Sequence, residues 1–164
     1  MKRAWCLAAA LAACAGPVDE RSDWERKHAQ KLAPVETVAL PAYPRKDQLI
    51  EFFVAATSEF RFYVDPASLN VTKDIVQYSL VARSSAGAEN VTFEGMRCAT
   101  GEVRIYAVGR DGGWVGRPGD WRPIQPRSVG RWHNALYREY FCPAAQPIAS
   151  REEAIAALRS GGVR

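Results

Sequence analysis

The sequence is poor in the residue types that carry most metal and nucleophile chemistry. Its 164 residues include two histidines, His28 and His133, far apart in the chain, and four cysteines. No His/Cys cluster has metal-site spacing, and no serine or cysteine is tied to His133 by a motif. No cofactor and no metal is therefore expected. Charge of one sign is also scarce. The formal net charge is +4, which is too weak to argue for a nucleic-acid partner from bulk electrostatics. The apolar run at residues 4–13 is too short to span a bilayer, which takes roughly 20 residues. There is no internal repeat.

Apolar material, by contrast, is plentiful. Hydrophobic residues make up 48%, with six Phe, six Tyr and five Trp, enough for one core in a chain of one-domain length. The N-terminus carries the clearest functional signal. Met1-Lys2-Arg3 is a short basic region, and the apolar run that follows ends in Leu11-Ala12-Ala13-Cys14. This resembles the bacterial lipobox, in which the cysteine sulfur receives diacylglycerol before cleavage. The expectation is a lipoprotein signal peptide at 1–13 and a lipid anchor on Cys14. The alternative is ordinary signal cleavage, for instance after Ala15, with Cys14 lost. Ala15 rather than Asp after the cysteine favours the outer membrane, with the protein facing the periplasm. One acyl chain anchors only marginally, so several would be needed for stable attachment. Removing the signal leaves 20 basic against 18 acidic residues.

Cys6 lies inside the signal, so Cys98 and Cys142 remain as an even pair in an oxidising compartment. They read either as a disulfide or as two buried free thiols. Residues 14–48 read as a tether, densely charged and then broken by Pro34, Pro41 and Pro44. From Leu49 the pattern changes, and 49–164 reads as one domain. Residues 50–56 are rich in strand formers. Phe60, Phe62 and Val64 alternate ahead of a turn signal at Asp65-Pro66. Val76, Tyr78, Leu80 and Ala82 share one face of the next strand. Thr92, Glu94, Met96 and Cys98 then oppose Val91, Phe93 and Gly95, and Val103, Ile105 and Ala107 oppose Arg104, Tyr106 and Val108. Five strands with short connections predict an antiparallel meander.

Two helices are expected downstream. Val129, Trp132, Leu136 and Tyr140 form a helical stripe with Ser128 as a candidate N-cap. Ser150-Arg151-Glu152-Glu153 is a capping box, Ile155 and Leu158 give an apolar side, and Gly161 suits the stop. Strands followed by helices point to α+β, an antiparallel meander of about five strands with two C-terminal helices packed on it.

Two regions could carry function. Residues 109–131 hold Arg110, Trp114, Arg117, Trp121, Arg122 and Arg127, with Trp132 close behind. Arginine and tryptophan together can bind phosphate or a glycan by charge and stacking. For an exported lipoprotein this favours an envelope protein, a lipid headgroup or a cell-wall polymer over nucleic acid. The structural reading, which composition favours, is a Gly/Pro-rich hairpin loop whose tryptophans cap the core while the arginines snorkel. The second region is His133 with Glu94, Glu102 or Glu139, a general base with a carboxylate orienter, as in a small periplasmic hydrolase. A structural histidine is the reading the sequence favours. Paired carboxylates such as Glu51 and Glu59 carry no acid–base spacing.

Several blocks together resemble a known family. They are Leu49-Ile50-Glu51-Phe52-Phe53-Val54, residues 62–69, Gly87-Ala88-Glu89-Asn90-Val91, Glu94-Gly95-Met96-Arg97-Cys98-Ala99-Thr100-Gly101-Glu102, Trp121-Arg122-Pro123-Ile124 and Tyr140-Phe141-Cys142-Pro143. In that order, over about residues 40–160, they resemble the cryptic neisserial protein family of small exported proteobacterial proteins. The resemblance implies a periplasmic or envelope domain with Cys98 paired to Cys142. It implies no activity, cofactor or catalytic residue.

Overall fold

The computed structural model describes residues 38–116, 119–125 and 131–163. Seven strands form one antiparallel sheet: β1 Ile50–Phe52, β2 Phe60–Val71, β3 Ile75–Ser84, β4 Glu89–Arg97, β5 Glu102–Arg110, β6 Gly113–Gly116 and β7 Arg122–Pro123. Spatial order follows chain order from β1 to β6, and β7 also pairs with β5. Helix α1, Arg131–Ala135, runs on as a wider π-helical turn, Leu136–Phe141. A 3₁₀ turn at Pro143–Ala145 leads to helix α2, Arg151–Ser160. The fold is the expected α+β meander with its C-terminal helices. The strand count is higher than the expected five.

The two additional strands come out of residues 109–131, read from sequence as a Gly/Pro-rich hairpin loop. Asp111 and Gly112 both take positive φ, 52° and 76°, between paired Arg110 and Gly113. That is the two-residue turn whose twist matches flanking strands. β1 is shorter than residues 50–56: past Phe52 the Phe53 N–H donates to Tyr140 Oη at 3.2 Å and the chain turns at Ala56-Thr57. Asp65-Pro66 does not end β2 but sits in a bulge, where the register jumps between Asp65 and Asn70. The bulge holds because its polar groups are satisfied. Asp65 Oδ1 accepts from the Ala67 N–H at 2.9 Å, and Ser68 Oγ donates to the Asp65 carbonyl at 2.8 Å. Ser68 Oγ also accepts from the Ser79 N–H at 2.7 Å, replacing a ladder bond.

Alternation sorts the side chains onto two faces. Val76, Tyr78, Leu80 and Met96 turn to the helix side, where they meet Leu136, Tyr140, Phe141, Ala154 and Leu158 in the main core. In the π-helical turn the Cys142 N–H bonds the Tyr137 carbonyl at 3.1 Å, a five-residue step. Tyr140 and Phe141, adjacent in sequence, are both buried there. Cys142 follows at once and is bonded to Cys98. The sequence pairing is thus realised, and the free-thiol alternative is not. Ser128 and Val129, the expected start of this helix, lie outside the described residues. Helix α2 matches its capping box. The Glu153 N–H donates to Ser150 Oγ at 3.1 Å, the Ala149 N–H donates to Glu153 Oε2 at 3.0 Å, and Gly161 takes φ 79°.

The opposite face of the sheet carries Tyr63, Val81 and Val91, then Phe93, Tyr106 and Ala107. A strap at residues 38–48, within the stretch read as tether, lies in the same compact unit as the sheet. Its Val38 and Tyr43 pack on this face, and Trp114 Nε1 donates to the Pro41 carbonyl at 2.9 Å. Tyr106 reaches the face through a register shift opposite Phe93 and Glu94. Its ring lies over Gly95, where an added Cβ would fall 2.5 Å from the tyrosine hydroxyl. Glycine is therefore needed at position 95 to seat Tyr106.

Candidate functional site

Helix α1 covers only part of the sheet. Beyond its first turn a cavity of about 890 Å³ opens over β2 to β5, bounded by the β1–β2 connection on one side and by Trp132 and His133 of α1. Its β2–β3 half is apolar, with Phe60, Phe62, Leu80 and Ala82. The β4–β5 half adds Asn90, Thr92, Glu94 and Arg110. Ile105 and Val108 keep the floor between these groups apolar.

Glu94 is the unusual residue. It lies on the helix-facing side of β4 and is 1% exposed. Buried carboxylates need partners, and this one has three. Tyr78 Oη donates to Glu94 Oε2 at 3.0 Å, Thr92 Oγ1 donates to Oε1 at 2.6 Å, and His133 Nε2 lies 2.8 Å from Oε2. Burial alone pushes the Glu94 carboxyl up. The His133 charge and the hydrogen bonds from His133, Thr92 and Tyr78 outweigh it and hold the group below its ordinary value. Tyr78 goes the other way. Burial and then the neighbouring Glu94 charge raise its hydroxyl well above the usual range, so it stays a donor. An ionised Glu94 accepts a hydrogen bond from the His133 Nε2–H and so orients the imidazole ring. Trp132, next along α1, stacks on Phe62 with centroids 5.2 Å apart. Its indole N–H is buried with no hydrogen-bond partner among the described residues.

The residues singled out from sequence are not gathered at one point. His133 and Glu94 converge, joined by Tyr78 and Thr92, which sequence reasoning did not pick out. Glu102 instead accepts from Thr100 Oγ1 at 2.6 Å and faces Arg97 at 3.8 Å. The tryptophans divide between the two faces. Trp132 lines the cavity, while Trp114 stacks against Tyr43 and Phe93 on the strap side. Trp121 meets Tyr106 edge-on and carries the Arg97 guanidinium 4.0 Å above its ring. Arg110 stands at the cavity, and Arg122 is exposed on β7. Arg117 and Arg127, like Cys14, lie outside the described residues. The sequence signal for the Glu94 network was a threonine and a glutamate on an otherwise apolar strand face. Among the described residues no three His, Cys, Asp or Glu side chains converge as a metal would require.

No curated protein and no solved structure shows a significant match to this chain. One family model does match, over residues 27–159, which spans the strap, the whole sheet, the cavity and most of the last helix. The chain therefore belongs to the CNP1-like family.

Proposed function

We propose that the protein is an exported cell-envelope lipoprotein, anchored through Cys14 to the outer membrane on its periplasmic side, whose domain binds a ligand in the cavity between sheet and α1. The carrying observation is a roomy, largely apolar hollow with a fully satisfied polar cluster at its floor, the usual form of a small-molecule site. The lipobox-like Leu11-Ala12-Ala13-Cys14 supports the anchor, and the Cys98–Cys142 disulfide suits an oxidising compartment. Palmitate labelling that is lost in Cys14→Ala tests the anchor, and a soluble unlabelled wild-type product refutes it. Saturable binding of the neutral fluorophore N-phenyl-1-naphthylamine tests the cavity. Binding should be lost in Thr57→Trp, which fills the space from the exposed β1–β2 connection. Binding unchanged by that substitution refutes the reading.

A second reading rests on the 2.8 Å His133–Glu94 contact. In a hydrolase, Glu94 would orient the imidazole and His133 Nδ1 would take the proton of an attacking water. Turnover of ester substrates that falls by about a hundredfold or more in His133→Ala supports it. Equal turnover in wild type and variant refutes it.

A further inference from the structure

Resting on the cavity reading, the geometry points to a single-chain acyl anion, such as a long-chain fatty acid, as the ligand, lying across β2 to β5 with its tail over Phe62 and Leu80 and its head toward His133 and Arg110. The cavity is polarised along one direction. The wall at β1, β2 and β3 offers Val54, Ala55, Phe60, Phe62, Leu80 and Ala82, with no charged group among them. The polar groups begin on β4, where Asn90 and Thr92 pair with Ala82 and Leu80, and Arg110 stands on β5, three strand spacings or about 14 Å from β2. A ligand that matches both ends needs an extended apolar body and one compact polar head.

The sign of the head follows from which partners are already used. Both Glu94 oxygens are already engaged by Tyr78, Thr92 and His133 and the residue is 1% exposed, so it presents little acceptor surface to a cation. What remains near the cavity is donor-rich. The Asn90 side-chain amide and, at the rim, the exposed Arg110 guanidinium supply donors at the β4–β5 end, whereas Trp132, stacked on Phe62, stands at the apolar end. A carboxylate or phosphate supplies the acceptors these groups lack. At the apolar end the rim itself is greasy. Phe60, 37% exposed, lines it together with Val54 and Ala55. An aromatic at the mouth suits a chain that enters tail first from a lipid surface or from a micelle.

Displacement of N-phenyl-1-naphthylamine from the full chain tests this. Dodecanoate should displace the probe, and butyrate should need at least about a hundredfold higher concentration, because eight methylenes of burial are missing. Arg110→Gln should weaken dodecanoate about fivefold and leave dodecanol unchanged, the size of an exposed charge contact. Displacement by butyrate as readily as by dodecanoate overturns the proposal. So does an Arg110→Gln effect that is the same for dodecanol. If the probe binds and Thr57→Trp abolishes its binding, but no acyl compound displaces it, the ligand class is wrong and the cavity reading stands. If the wild-type chain does not bind the probe at all, both fall. Phosphatidylglycerol vesicles separate the sources. Displacement by vesicles as well as by free dodecanoate assigns a diacyl bilayer lipid and overturns the single-chain form, and displacement by dodecanoate alone assigns the free acid.

Discussion

The two ends of the helix-facing side of the sheet are built from the same strands but finished differently. At the disulfide end the space is filled. Met96, Cys98, Leu136, Phe141 and Cys142 are all buried, the Cys98–Cys142 bond crosses from β4 to the helix, and Tyr137 Oη donates to the Cys98 carbonyl at 2.9 Å. At the other end the strands continue but, among the described residues, the helix does not cover them, and a cavity remains. Glu94, Tyr78 and His133 mark the boundary. Stability is concentrated at the closed end, so the open end is free to carry a hollow that would be costly in a core packed throughout.

The largest test of this contrast is removal of the staple. Cys98→Ala with Cys142→Ala should lower the unfolding free energy by about 4 kcal/mol, from a closed loop with a sequence separation of 44. Urea denaturation measures it, and a loss under 1 kcal/mol would show that packing alone holds the closed end. Next comes the boundary. Glu94→Ala leaves His133 and Tyr78 facing a void and should cost about 3 kcal/mol. Its pH dependence has a definite sign. Because the folded-state pKa of Glu94 lies below the ordinary 4.5, its contribution is present above that pH and is lost as pH falls through the folded-state value. Thermal melts between pH 7 and 3 should therefore show a shallower acid loss in Glu94→Gln than in wild type. An identical slope would mean that the buried carboxylate is not ionised.

A third prediction concerns the opposite face. Gly95→Ala puts a methyl group into the Tyr106 ring and should cost about 2 kcal/mol by calorimetry. A neutral result would show that Tyr106 swings away freely. The smallest effect is the sharpest comparison. Ala154→Val at the closed end, where Ala154 is fully buried, should cost about 1–3 kcal/mol. Ala82→Val at the cavity should stay within about 0.5 kcal/mol, because the added methyls have room. Equal costs would mean that the cavity closes in solution.

Much of this architecture was legible from local pattern. Val76, Tyr78, Leu80 and Ala82 announce the inward face of β3 by period-two alternation, and Ser150 with Glu153 announces the start of α2 by capping chemistry. The misses have local causes too. Residues 109–131 read as a hairpin loop, but the short strands β6 and β7 that pair with β5 inside it were not distinguished amid the arginines and tryptophans. Asp65-Pro66 carries turn chemistry, yet the turn is absorbed as a bulge because Ser68 supplies the bond the ladder loses. The candidate site was half legible. His133 and Glu94 were both named, but Glu102 stood beside Glu94 as an equal choice, since sequence spacing does not report which carboxylate a histidine on a distant helix will meet.

Composition and periodicity by themselves determined a small α+β domain, an antiparallel meander, two C-terminal helices and one even cysteine pair. These follow from short-range physics: side chains alternate on strands, recur every three to four residues on helices, and cap their own termini. Only the tertiary structure decided that Glu94 faces His133, that Trp132 parts company with Trp114 and Trp121, and that a cavity lies beyond the first turn of α1. Those outcomes depend on where α1 comes to rest on the sheet, and that position is set by long-range packing around Leu136, Phe141 and the Cys98–Cys142 bond, not by any residue's neighbours in the chain.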